Sequence, residues 1–472
     1  KGPPTMSTPS DTSSQTSEPQ KVLKALAAIS IVVGIVVGAG IFKTPSMVAG
    51  ITQDAGWLVT VWVAGAVISL AGALVYAELC TRYPHTGGDY HFLTRAFGKD
   101  VSFLYAWAKA MVINTGSIAL LAFVFGDYMT RVFSLGEYSS ALWAFGIVSV
   151  LTTTNLVGLH ASSRIQTVLV ILLLTGLAAI VVAGFSAARP ETIPTAAFAT
   201  TPPMGLLGLA MVFVLLTFGG WNEAAYISSE VKGGPRAIVR VLVISLAVIT
   251  GIYLLVNIAL LFGLGLSGLA ASKAAGADVL GIFLGPWAEK ALGLLVAIAA
   301  LTSINSTMIV GARTNHALGK DWVSLRGLGQ WQADRGTPVT AHLVQAAIAL
   351  ALIVFGAFQA DGFEAMVEFT APVFWSFLFL VGISLFIARW RDASGNTTAA
   401  DIFRVPLYPI TPILFCLACG YLAYSSISYA ASKEAVHISL WVMAVGVAAL
   451  LILKGLRTRS GQNTATEGGT QP

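Results

Sequence analysis

Charge is what this chain has least of. Asp, Glu, Lys and Arg make up 10% of its 472 residues and hydrophobic types 56%, whereas soluble domains carry about 25% charged residues. That scarcity excludes an ordinary soluble fold. Cysteine is scarce too: Cys80, Cys416 and Cys419 are the only ones, too few for a disulfide framework. Cys416 and Cys419 make a C-x-x-C, but inside the apolar run LFCLACGYLAY, where small packing residues are the plain reading. The six histidines are scattered. No group of His, Cys, Asp or Glu has catalytic or metal-ligand spacing, so neither an enzyme nor a metal site is expected. No ATP-binding motif is present, and the G-x-G-x-x-K starting at Gly38 lacks the third glycine and the βαβ setting of a dinucleotide site. The net charge of +5 reads as loop charge beside a lipid bilayer rather than as a nucleic-acid surface.

What the chain has in abundance is long apolar runs. Twelve stretches are each long enough to cross about 30 Å of hydrocarbon: 25–50, 57–80, 101–130, 141–158, 163–187, 204–230, 238–264, 288–312, 340–358, 365–388, 405–430 and 437–454. The expected fold is an all-α polytopic membrane protein with twelve transmembrane helices. The longest loops expected are 187–203, 265–287 and 313–339. Residues 1–20 and 458–472 are polar, without an apolar core, and read as disordered tails. Lys and Arg gather on the side of both termini, among them Lys24, Arg82, Arg95, Lys99, Arg164, Lys232, Arg236, Arg313 and Arg389. The opposite side has Arg131, Arg189, Lys273, Lys290 and Lys433. The positive-inside rule then puts both termini in the cytoplasm and the protein, multi-pass, in the plasma (inner) membrane. Asn396-Thr397-Thr398 matches a glycosylation pattern but falls in a cytoplasmic loop and is discarded.

Two of the runs are interrupted. The first, IVVGIVVGAGIFKTP, places Gly34, Gly38 and Gly40 in a membrane helix; the sixth, LLTFGGWNEAAYISSEV, has Gly219-Gly220 at a matching depth. Glycine costs a helix interior about 1 kcal/mol relative to alanine. Segments 1 and 6 are where two five-helix repeats begin, and an odd repeat length inverts the second. Glycine-broken segments at corresponding places in two halves point to a transporter's binding site. The outer half of helix 1 then starts at Gly38-Ala39-Gly40 with free N–H groups and a positive dipole end, a site for a carboxylate. The outer half of helix 6 ends in free carbonyls around Thr217 and Phe218, which suit an ammonium. Bare glycines give close approach. A zwitterionic amino acid satisfies both sets. The competing reading is close packing through Gly34-x-x-x-Gly38.

At these residues the chain resembles the amino acid–polyamine–organocation transporter superfamily, above all its bacterial amino acid permeases and L-type amino acid transporters. GAGIF (Gly38–Phe42) is similar to the family's first-helix motif, and YPHTGGDYHFLTRAFG (Tyr83–Gly98) to its loop after helix 2. FGGWNEAAY with Glu230 is similar to its sixth helix, and EFTAPVFW (Glu368–Trp375) to its tenth. The resemblance covers roughly residues 20–457. It implies a five-plus-five inverted repeat with broken helices 1 and 6, divided as 21–187 and 188–390, with helices 11 and 12 (391–457) outside it, and alternating access about a central site. Matched positions put the carboxylate on Gly38, Ala39 and Gly40, and the ammonium on carbonyls near Val36, Thr217 and Phe218. Leu216, Gly219 and Asn222 are matched side-chain pocket positions. Relatives often have a gating aromatic where this chain has Leu216, which leaves Phe218 or Trp221 as the gate. Many relatives carry a helix 5 lysine in place of a coupling sodium; the matching residue here is Leu173. Thr302 and Ser303 of ALTSINST stand where sodium-coupled relatives bind their ion, although hydroxyls in helices also simply bond backbone. The loop 131–140 has no cysteine, so no disulfide-linked subunit is expected.

Charges inside the membrane are functional candidates. Glu223 is the deepest; it can pair with Lys109 on helix 3, contact substrate or relay a proton. Lys43 reaches the outer vestibule, and Glu78, Asp127 and Glu230 lie near helix ends. Tyr253 and Asn257, four apart, share a face. The expectation is a secondary carrier of amino acids, symporter or exchanger, with sodium or a proton as the coupling ion and no other cofactor. Uncharged pocket positions favour neutral substrates. Glu223 keeps cationic amino acids or polyamines open, and a non-transporting amino acid sensor is the rival of another class.

Overall fold

Every apolar stretch marked out above contains a helix. The structure, a computed structural model, describes residues 24–85, 87–157, 159–189, 191–192, 197–227, 231–272, 274–332, 334–358, 362–393, 402–432 and 436–467. The expected tail 1–20, Glu230 and the Asn396 pattern lie outside them. Span 1 is a bent pair, Ala25–Val36 and Gly40–Thr52, and span 2 is Ala55–Arg82. Span 3 comprises Lys99–Ala108, a π-helical turn Lys109–Ile113, and Asn114–Val132. Spans 4 and 5 are Ser139–Val157 and Leu159–Ala187. Span 6 is Met204–Phe218 followed, after a break, by a 3-10 turn Trp221–Glu223 and Ala224–Ile227. Spans 7 to 9 are Gly234–Ala271, Ala288–Asp321 and Val339–Gly356. Spans 10 to 12 are Gly362–Ala393, Ile410–Ser432 and Val436–Glu467. Ten helices are long and apolar enough to cross a bilayer among the described residues, with the bent pair as an eleventh; the last span has a shorter apolar part, Leu440–Gly455. Helices are forced here because hydrocarbon offers backbone groups no partner outside their own segment.

Several boundaries differ from expectation, each for a local reason. The loop expected at 313–339 starts later, because span 8 runs on to Asp321 with Arg313, Thr314, Asn315 and His316 all buried. The loop expected at 265–287 holds a helix, Ala275–Leu284, after a kink at Gly265 with φ 70°. Span 11 starts at Ile410 rather than 405, behind Pro406 and Pro409, which cannot donate to a helix. The last span continues to Glu467, past the start of the expected C-terminal tail. Between spans 2 and 3 lies a short helix, Asp89–Phe97.

Span 1 is the buried centre. Its first half packs on spans 5, 7 and 8, and its second on spans 6 and 7. Two carboxylates at the rims fasten the loops around it. Glu78 accepts from Arg82, from Nε and Nη2 of Arg389 at 2.9 and 2.6 Å, and from Val405 N–H at 2.7 Å. It thus joins spans 2 and 10 to the segment before span 11. At the other membrane face Asp54 caps span 2 through Trp57 N–H at 3.0 Å and also accepts from Phe198, Ala199 and Thr200 N–H. Both acids act structurally, as an acid near a helix end is expected to.

Burial alone would raise the Asp54 carboxyl, but its backbone donors from Trp57, Phe198, Thr200 and Ala199 hold it below its ordinary 3.8. Its contribution is therefore complete at neutral pH and is lost only as pH falls through that lowered value. Asp54→Ala is expected to cost about 1–2 kcal/mol, the scale of a lost cap, read as a lower melting temperature of the purified protein in detergent.

Candidate functional site

The two broken spans meet. Span 1 stops at Val36 and resumes at Gly40, its halves diverging by 48°. At the break Gly38 N–H turns back onto Val36 carbonyl at 2.8 Å. No side chain caps the second half at Ala39, so its first amides form an open positive dipole end. Span 6 leaves the helix at Phe218. Gly219 is extended and Gly220 has φ 106°, a conformation that needs glycine; a Cβ on Gly220 would also stand 2.6 Å from Ile35 Cγ2.

One hydroxyl joins the breaks. Tyr253, fully buried on span 7, places its Oη 2.8 Å from Val36 O and 3.0 Å from Thr217 O. These are two of the carbonyls that the sequence assigns to an ammonium. Each carbonyl has two lone pairs; Thr217 O keeps an acceptor position beside the tyrosine, whereas Val36 O already takes Gly38 N–H as well and is filled, contrary to the expectation that it is free for an ammonium. Thr44 and Thr217 share a hydrogen bond of 2.7 Å between their hydroxyls, and a Cβ on Gly40 would press on Thr217 Oγ1 at 3.1 Å. The side of the site nearer span 8 is closed by Ser303, whose Oγ donates toward the carbonyls of Gly34 (3.2 Å) and Ile35 (3.3 Å); Thr302 bonds Ile298 O in its own helix. A Cβ on Gly38 would lie 3.1 Å from Ser303 Oγ.

The packing and binding readings of span 1 divide between its glycines. Gly34 is pressed by Gln166 of span 5 and by Thr302, where a Cβ would stand 2.2 and 3.0 Å away, so it packs helices. Gly38 and Gly40 flank the break. The remaining matched positions scatter. Phe218 is buried with its ring 5.0 Å from Tyr253 and 6.0 Å from Trp62. Trp221 packs 5.2 Å from Tyr76 and 5.9 Å from Phe415. Leu216 is exposed. Gly219 and Asn222 face a small cavity with Ser69, Trp375, Phe415 and Cys419, whose lining includes none of Gly38, Ala39 and Gly40. Leu173 is fully buried, an apolar residue at the position of the relatives' lysine.

Below the break, Lys109 Nζ lies 3.1 and 3.0 Å from the two carboxylate oxygens of Glu223. Pairing is thus the role the geometry gives Glu223. Lys109 opens the π-helical turn of span 3, a rare element that clusters at functional sites. No periodicity signals that turn. Tyr253 carries a faint signal in the sequence, an interior polar face shared with Asn257.

Broken helices that bring opposite backbone dipoles together halfway along an apolar bundle define the core of a secondary transporter. The chain belongs to the amino acid permease family, whose sequence model matches residues 23–450. It is 26% identical over 440 residues to the b(0,+)-type amino acid transporter 1 of Rattus norvegicus, covering 92% of this chain and 88% of that protein. A serine/threonine exchanger of Bacillus subtilis is 26% identical over 443 residues, 93% and 98% of the two chains. The Asc-type amino acid transporter 1 of Mus musculus is 26% identical over 418 residues, 86% and 77%.

Tyr253→Phe removes the donor shared by the two breaks. The expected cost is about 1–3 kcal/mol, that of buried acceptors left unpaired, measured as a lower melting temperature in detergent. Asn257→Leu, one turn away on the same helix, serves as the comparison and leaves the bridge in place.

Proposed function

We propose that the chain is a secondary carrier that moves neutral amino acids across the plasma membrane by alternating access. The observation that carries this reading is the pairing of an uncapped helix start at Ala39-Gly40, just past the Gly38 turn, with the Thr217 carbonyl across the breaks. One end favours a carboxylate and the other an ammonium. The relatives named above, all amino acid transporters or exchangers, support it. The Lys and Arg bias of the loops puts both termini in the cytoplasm. The carrier works without a disulfide-linked subunit, since the loop 131–140 has no cysteine.

Neutral substrates are favoured over cationic amino acids and polyamines because Glu223, the acid next to the break in span 6, is engaged by Lys109. A substrate cation would have to displace an ammonium already bonded to both oxygens. Sodium at Thr302 and Ser303 stays open beside this: their hydroxyl hydrogens go to backbone carbonyls, which leaves oxygen lone pairs for a hard cation.

A panel of labelled neutral and cationic amino acids and putrescine, in counterflow with proteoliposomes, tests the reading. Accumulation of neutral amino acids is expected; binding without accumulation would make the protein a sensor, and accumulation of lysine or putrescine alone would reverse the substrate class. Sodium on one side or both separates the sodium reading from the others. Gly40→Val is expected to abolish binding of the accumulated amino acid while the protein still inserts, because its side chain enters the space beside Thr217. Unchanged affinity would remove the carboxylate from this place.

A further inference from the structure

Beside the Lys109–Glu223 pair lies a second acid that the pair does not neutralise. Asp89 begins the short helix after span 2 and is buried, 2% exposed. Tyr105 of span 3 donates to its Oδ2 at 2.9 Å and also hydrogen-bonds the hydroxyl of Tyr226 in span 6. The ring of Tyr226 lies 3.6 Å from Lys109 Nζ. Tyr226 in turn rests against the loop: a Cβ on Gly88, where φ is 48°, would meet its ring at 2.7 Å. Asp89, Tyr105, Tyr226, Lys109 and Glu223 therefore form one buried chain from the loop to the break in span 6, and Asn222 leans on Glu223 at 3.4 Å. Tyr76 of span 2 is the remaining titratable group facing Asp89.

The charges do not balance. With both acids ionised, two carboxylates face one ammonium, and a surplus charge in a desolvated interior is expensive. A separate observation marks where the imbalance sits. Asp89 Oδ1 and Tyr76 Oη are buried side by side and attract each other, yet among the described residues neither completes a well-aligned hydrogen bond. Tyr76 O–H can donate to an ionised Oδ1, and with a proton on Oδ1 the acid donates to the tyrosine oxygen instead, so this contact accommodates Asp89 with or without its proton.

We propose that this cluster binds one proton, held on Asp89 and shared electrostatically with Glu223, and that this proton is the carrier's coupling ion. Burial pushes the Asp89 carboxyl above its ordinary 3.8 against the pull of Lys109, which is the direction the proton needs. The step is simple acid dissociation: when the loop helix and span 6 part, water reaches Asp89, its O–H bond breaks, and the proton leaves to that side while the carboxylate keeps the electron pair. The inference rests on the carrier reading and names its energy source.

Charge arithmetic gives the test. Asp89→Asn and Glu223→Gln each leave one acid and one base, a balanced cluster with no call for a proton. Lys109→Met in the Glu223→Gln background leaves Asp89 alone and restores the imbalance. In proteoliposomes with a trapped pH dye, the best counterflow substrate of the panel is expected to carry a proton with it in the wild type. The ratio of protons to substrate should fall toward zero in both single variants, whatever their rate, and rise again in the double variant. A purely structural role would not give that recovery. Where a variant transports too slowly, its substrate affinity in detergent is measured against pH: dependent in the wild type and double variant, flat in the single ones. Net substrate uptake without proton movement in the wild type, or proton movement kept by either single variant, overturns the proposal and leaves the carrier standing. A wild type that binds without counterflow overturns the carrier reading instead.

Discussion

A broken helix inside a membrane must find partners for the backbone groups it frees, and here one tyrosine hydroxyl serves both breaks. Tyr253 reaches the last carbonyl of the first half of span 1 and a carbonyl near the end of the first half of span 6. Span 7 thereby fixes the distance between two helix ends that would otherwise drift apart. The arrangement is economical because a hydroxyl has one proton for two acceptors. Val36 O has Gly38 N–H as a second donor, so the acceptor position left open is on Thr217 O, and an open acceptor is the condition for binding an ammonium.

Elsewhere around the breaks the same chemistry recurs. Thr44 and Thr217 bond each other, Ser303 reaches back to Gly34 and Ile35, and Thr302 bonds its own helix. Hydroxyls join the four spans without bringing charge near the site. A zwitterion has no net charge to balance, so a site of backbone dipoles and hydroxyls suits it better than one lined by ions, whose desolvation would compete with substrate.

The twelve spans and the two breaks are legible in the sequence because the bilayer fixes span length, and because closely spaced glycines weaken an apolar helix at a definite depth. Helix ends are less legible where polar residues are buried: His316 and Asn315 look like loop residues until neighbouring helices cover them. The backbone groups at the two breaks, from which the proposed site is built, are located by motif and dipole at Gly38, Gly40 and Thr217. The side-chain part cannot be located this way. Leu216 is exposed and Asn222 faces a separate cavity, because the positive φ at Gly220 redirects the chain and the helical phase before it does not continue after it. Asp89 stands inside the loop motif with no signal of its own, since nothing in its local sequence says that a loop residue will be buried under three tyrosines.

The π turn at Lys109 connects the loop to the break. An extra residue in the turn shifts the phase of span 3, and Lys109 at its start meets Glu223 while Tyr105, one turn earlier, meets Asp89 and Tyr226. The part of span 6 described after the break is a 3-10 turn and a few helical residues, too short to hold itself in place by its own hydrogen bonds. Its position depends on what it touches: Trp221 packs on Tyr76 and Phe415, while Glu223 and Tyr226 meet Lys109, Tyr105 and the loop glycine Gly88. An element held by a charged pair and a titratable neighbour as well as by apolar packing can be shifted by changing one charge. That is the physical reason for placing ion coupling on this side of the break and substrate recognition on the other.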